Sequence, residues 1–249
     1  MDARLAGLLV FALVLGAGIA GGWIARRFLV DESASPSFGA VQGAAFGILG
    51  LLLAFSFSVG LTRYDARREV VVREANAIKT LWYRAALLDH SRTVMLRKEV
   101  TAYAAARLEY TAAGDAATRA TAQLKAADLE TAIWSDVLNG TNRGQAVYNL
   151  LIQAANDVPD VAAEQAELQT ASIPASVIAV VIATAIVSTL LLGAAHGRAR
   201  RHAQVAQVAI AVVIAMVVGT IIDLDRPQHG MIRVDLAPLL QAQSDMSPP

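Results

Sequence analysis

Gly47, Leu51, Phe55, Ser58 and Thr62 recur at three- and four-residue spacing inside residues 37–62, a run of 26 with no ionisable side chain. On a helix turning about 100° per residue they share one stripe with Ala40 and Ala44: small residues, then large apolar ones, then hydroxyls. That order suits a watery path across a membrane, with a hydrophobic gate leading to a wetter mouth. A second reading stands beside it. Small residues let membrane helices pack closely and a hydroxyl can bond its own backbone, and Gln42, Ser56 and Gly60 on the opposite face could do the same packing. Just beyond the run, Arg63, Arg67 and Arg68 form a basic collar, with Asp65, Arg73 and Glu74 nearby, that could concentrate anions or bind acidic lipid headgroups. The alternative is an interfacial anchor with solvated pairs worth a few tenths of a kcal/mol each. Asp223 and Asp225 lie where the last apolar run ends. Charge so near hydrocarbon calls for a partner, and an inter-helix ion pair with Arg63 or Arg67 is expected.

Other chemistries have little support. The chain has no cysteine, hence no disulfide, thiolate metal site or cysteine nucleophile. Its four histidines, His90, His196, His202 and His229, are scattered, without HExxH or paired-ligand spacing, so no metal is expected. No G-x-S-x-G, Walker loop, G-x-G-x-x-G placed between a strand and a helix, or carboxylate–histidine bundle occurs, so neither an enzyme nor a cofactor is expected. Trp82, Tyr83 and Trp134 read as core or interfacial residues. With 21 basic and 21 acidic residues the net charge is zero, which gives nucleic acid no general electrostatic hold.

The elements that must carry these residues follow from composition. At 55% hydrophobic and 17% charged, the chain is too apolar for an ordinary soluble domain. Residues 5–24 form the first apolar run, read as a retained span because the segment before it has only Arg4 beside Asp2, a poor signal-peptide leader. Residues 37–62 form the second, long enough at about 1.5 Å per residue to cross roughly 30 Å of hydrocarbon. The third is 168–195, with Pro174 near its start, and the fourth is 203–222, after the loop HGRARRH. The division is therefore two spans in 1–62, an extramembrane insert in 63–167, two spans in 168–222 and a tail in 223–249. The insert has 13 basic and 14 acidic residues, and breaks are expected at 89–91, 114–115 and 139–142. Between them Leu96, Val100 and Tyr103 share a face, as do Ala122, Ala126, Leu129 and Ile133, and then Val147, Leu150, Leu151, Ala154, Val158 and Val161. This predicts four helices, two of them continuous with spans two and three, with Pro159 resetting the last. The fold class is thus an all-α integral membrane protein. Basic residues near the membrane number eight on the insert side (Arg4, Arg63, Arg67, Arg68, Arg73, Lys79, Arg226, Arg233) and five opposite (Arg26, Arg27, Arg198, Arg200, Arg201). The excess favours cytoplasmic termini and insert in a plasma-membrane protein.

The stretch LLLAFSFSVGLTRYDARREVVVREANAIKTLW resembles the second-helix region of the bestrophins. It is closer still to the prokaryotic four-span family with a bestrophin-like domain, through Glu74-Ala75-Asn76-Ala77 after the second span and Leu224-Asp225-Arg226-Pro227-Gln228-His229-Gly230 after the fourth. The resemblance implies a bacterial homo-oligomer, pentameric in bestrophins, whose second helices line an ion pore, with chloride-like anions as the favoured ions and the chain itself and membrane lipids as partners. Aligned on Arg63-Tyr64, the family's apolar constriction falls on Gly47, Leu51 and Phe55, where Gly47 departs from the pattern. The calcium-binding acidic cluster of animal bestrophins has no counterpart beyond Asp223 and Asp225. The competing class is a membrane-anchored sensor or scaffold whose insert binds a partner or ligand.

Overall fold

The computed structural model describes residues 3–28, 36–140, 146–195, 201–226 and 230–246. His196, His229, the segment around Asp31 and Glu32, Thr141-Asn142, most of the HGRARRH loop and the Pro227-Gln228 step lie outside what is described, as does the side chain of Arg4. The described chain is helical: α1 (Ala3–Phe28), α2 (Pro36–Arg84), α3 (His90–Ala112), α4 (Ala116–Gly140), α5 (Ala146–Thr170), α6 (Ala175–Ala195), α7 (Arg201–Leu224) and α8 (Ala237–Asp245). Four of its helices are long and apolar enough to cross a membrane. It is a multi-pass membrane protein with α3 and α4 inserted between the second and third apolar helices. Two compact units divide it, one of residues 1–64 and 172–232, the other of 65–171 and 233–249.

In the first unit, α1 packs on α6 and α7. Val10, Val14, Leu49, Val181, Ala185, Ala211, Ile214 and Val218 form its core. Glycine sets the α1–α6 spacing: a methyl on Gly193 would lie 1.8 Å from the Gly18 carbonyl oxygen, and one on Gly21 would lie 2.0 Å from that of Leu190. Apolar solvent removes the hydrophobic drive between such helices, so backbone approach and dispersion must replace it.

In the second unit, residues 65–84 of α2 present Val71, Ala75, Ile78 and Leu81 to a core shared with Leu96, Val100 and Tyr103 of α3, Ala126 and Ile133 of α4, and Leu151, Ala154 and Val158 of α5. Most residues of the expected faces are buried, while Leu129, Val147 and Val161 are half-buried and Leu150 is 42% exposed. The punctuation acts as its chemistry dictates. Asp89 caps α3, its carboxylate accepting the Arg92 amide at 3.1 Å, and Asp115 accepts the Thr118 amide at 2.8 Å where α4 begins.

Three features differ from expectation. Pro159 does not reset the last insert helix but lies within α5. One absent amide proton is a local loss, and Leu151, Ala154, Ala155, Val158 and Ala162 keep the helix face buried on both sides of it. The break comes instead at residues 171–174, so α5 and α6 are separate elements; Pro174 disfavours helical backbone at the residue before it. The C-terminal segment also carries α8, whose Leu239 and Ala242, with Met246 just beyond, enter the second unit's core, while Lys79 bonds Asp245 at 2.7 Å.

Candidate pore-lining face and its flanking charges

The apolar part of α2 has two unlike faces. Leu49 (2% exposed), Ser56 (4%) and Gly60 are buried, with Phe46, Leu52 and Leu53 packed against the core that Leu49 joins. Gly60 rests against Leu224, 3.5 Å from where a Cβ would stand. Opposite them Ala40, Ala44, Gly47, Leu51, Phe55, Ser58 and Thr62 are all exposed in the single chain. Leu51 is 58% and Phe55 64% accessible, and a Cβ on Gly47 would meet nothing within 4 Å. Among the described residues, intrachain packing therefore uses the Leu49 face and leaves the other open from Ala40 to Thr62. Val41, Ile48 and Val59 widen that open surface. At its end the Thr62 hydroxyl donates to the Ser58 carbonyl at 2.9 Å, meeting its own need within the helix.

The three arginines of the collar have different surroundings. Arg67 is buried, donating through Nε to the Leu168 carbonyl at 2.9 Å and through Nη2 to that of Ala171 at 2.8 Å. A helix ends with carbonyls that lack intrahelical partners, and a guanidinium there both bonds them and opposes the helix dipole. Arg68 is exposed, and Arg63 is half-buried with a buried Nη1 that makes no hydrogen bond.

Asp223 and Asp225 hold backbone. Asp223 is 2% exposed and accepts the Met231 amide on Oδ1 and the Ile232 amide on Oδ2, each at 2.9 Å. Gly230 completes this turn: a Cβ there would lie 2.8 Å from Asp223 Oδ1 and 3.0 Å from its carbonyl oxygen. Asp225 accepts the Ile173 amide at 2.8 Å and 3.0 Å on its two oxygens, tying the end of α7 to the start of α6. The glycine of the Leu-Asp-Arg-Pro-x-x-Gly segment thus has a steric reason.

One set of residues escaped sequence reasoning. Glu74 of the Glu-Ala-Asn-Ala segment is wholly buried and bonded to Arg107 of α3, which also donates to Gln165 of α5. Gln165 in turn donates to the Thr111 hydroxyl at 3.2 Å, and the Arg107 guanidinium stacks 4.6 Å from the Tyr110 ring centre. Burial pushes the Glu74 carboxyl above its ordinary range although Arg107 pulls the other way, and Arg107 remains a cation. The available signal was positional: Glu74 is the ionisable member of the Val70, Val71, Glu74, Ile78, Leu81 face. At the surface Arg73 and Glu164 pair bidentately at 2.7 and 2.5 Å.

A family profile for the Bestrophin-like domain matches residues 11–239. Among solved structures, one variant of a bacterial bestrophin homolog from Klebsiella pneumoniae aligns with a TM-score of 0.75 at 13% identity, covering 99% of this chain and 97% of that one. A second variant aligns at 0.72 and 16% identity, covering 98% and 97%. No curated protein matches the chain. At such identities the structures speak for the fold, whereas the profile spans most of the sequence. The chain belongs to the bestrophin-like domain family.

Proposed function

We propose that this protein is a homo-oligomeric ion channel, pentameric as bestrophins are, without enzymatic activity, in which the second helix of each copy lines the pore. The observation that carries this reading is the open face of α2: the longest helix of the fold satisfies its packing on the Leu49 side and leaves Gly47, Leu51, Phe55, Ser58 and Thr62 uncovered. Copies meeting around that face would enclose small residues, then a hydrophobic girdle at Leu51 and Phe55, then hydroxyls. Water leaves so narrow an apolar girdle readily, which makes it a gate. Arg68, exposed just beyond, and Arg63 beside it would bias the mouth toward small anions such as chloride. The insert and termini face the cytoplasm in this reading, consistent with the excess of basic residues there. An inter-helix ion pair linking the Asp223–Asp225 segment to Arg63 would hold the second and fourth spans together.

The test is current across a planar bilayer containing purified protein. The wild type conducts, and Phe55→Ala, by removing the bulk of the girdle, raises the open probability or the leak at least several-fold. A protein that carries no current in either form, or a Phe55→Ala current equal to wild type, contradicts the assignment.

A further inference from the structure

Within the helical insert, a cavity of about 300 Å³ opens between α4 and α5, lined by Glu130, Thr131, Ile133, Trp134, Ala155, Asn156, Val158 and Pro159. A smaller one of about 200 Å³ adjoins it through Glu130 and Pro159 and reaches Arg107 and Tyr110. Of the residues lining the larger cavity, Glu130 is the ionisable one. Glu130 has one carboxylate oxygen engaged by the Tyr103 hydroxyl at 3.0 Å, and among the described residues no basic side chain forms a salt bridge with it. The nearest buried cation, Arg107, is already matched by Glu74. Glu74, Arg107 and Glu130 together therefore leave one negative charge at the cavity. Trp134, one helical turn after Glu130, brings an indole to the same face of α4 and is 36% exposed. Across from it Pro159, inside α5, adds its ring to the lining. Asn156 adds an amide, and Ile133 and Val158 supply apolar wall.

We propose that this cavity binds a small organic ammonium ion. Its positive head would lie between the Glu130 carboxylate and the Trp134 ring, and its alkyl substituents would rest on Ile133, Val158 and Pro159. A carboxylate and an aromatic face each favour a cation over a neutral molecule of the same shape. An anion would meet the uncompensated charge of Glu130. The site lies in the insert and does not depend on the pore reading.

The experiment uses the purified full chain in detergent, with choline as the probe and, as control, its neutral isostere in which a tert-butyl group replaces the trimethylammonium. Tryptophan fluorescence and thermal midpoint are both followed. Choline should saturate the fluorescence change and raise the midpoint. The isostere should bind at least about tenfold more weakly. Glu130→Gln, which keeps an acceptor for Tyr103, should weaken choline at least about tenfold, and Trp134→Leu should weaken it several-fold in the thermal assay alone. Should Glu130→Gln fail to fold, Trp134→Leu and the isostere decide. Equal binding of choline and its isostere, undiminished choline binding by a folded Glu130→Gln or by Trp134→Leu, or no saturable response to choline up to about 0.1 M overturns the proposal.

Discussion

Arg107→Met should be the most damaging single substitution in the insert, and its cost can be reasoned from its neighbours. Arg107 is 4% exposed and Glu74 is 0% exposed. The methionine keeps much of the buried stem but leaves Glu74 without its cation, the Gln165 side-chain oxygen without its donor and the Tyr110 ring without its stacked charge. One Glu74 oxygen, Oε2, already makes no hydrogen bond. Removing one partner of a buried pair costs roughly 3–5 kcal/mol, because the stranded charge keeps its desolvation penalty. At about 2–4 °C per kcal/mol for a protein of this size, the midpoint should fall by about 6–20 °C. Circular dichroism of the detergent-solubilised protein reads it. Burial already holds the Glu74 carboxyl above its ordinary value, and loss of Arg107 raises it further. A carboxyl raised in the folded state binds extra protons there, so stability falls as pH rises from the ordinary carboxylate value through the raised one. The deficit of Arg107→Met relative to wild type should therefore be larger at about pH 8 than at about pH 5. Adding Glu74→Gln should recover most of the loss and remove that pH dependence. A midpoint shift under about 2 °C, or a double variant no better than the single, refutes the reasoning.

Two further outcomes follow from local geometry. Gly230→Ala should destabilise by about 1–3 kcal/mol, since its methyl must displace both the Asp223 carboxylate and a backbone carbonyl; thermal unfolding indistinguishable from wild type would contradict this. Hydrogen bonds hold the carboxyls of Glu164, Asp89 and Asp115 below their ordinary range, from Arg73, from Ser91 and the Arg92 amide, and from the Thr118 amide respectively. Stability from lowered carboxyls is present above their unfolded values and is lost as pH falls through the folded ones, so the insert should weaken below about pH 4. The triple variant Asp89→Asn, Asp115→Asn, Glu164→Gln should flatten that acid limb of a pH–midpoint curve.

Long-range order in this fold was legible wherever a single helix carries the signal. The four apolar runs, the breaks near Asp89 and Gly114, and the faces holding Leu96, Val100 and Ile133 each follow from composition and a 3.6-residue period, which are properties of one element. The stripe from Gly47 to Thr62 was readable as a stripe, while the exposure of its residues in the single chain follows from how the opposite face packs on other helices. Features that need two elements were not. Glu74 reads as one more charge in a charged helix until Arg107, 33 residues away, is brought beside it. Asp225 looks like a candidate for an ion pair, yet its carboxylate also serves the Ile173 amide, a donor no side-chain pattern reveals. Arg67 looks like a solvated collar residue and caps the end of a helix about a hundred positions later. Pro159 misleads for the reverse reason, since burial of the surrounding face outweighs a local rule.

Because the chain contains no cysteine, single cysteines can be placed along α2 without removing any first. The most direct test of the account is the reaction of such variants, in the assembled protein reconstituted in vesicles, with a charged, membrane-impermeant thiol reagent. Cysteines at Gly47, Leu51, Phe55 and Ser58 should react and alter the conductance, while those at Leu49, Leu53 and Ser56 should stay silent, giving reactivity at the helical period. Reactivity that follows the Leu49 face, or silence at all four open positions, would mean that no watery path runs along this helix.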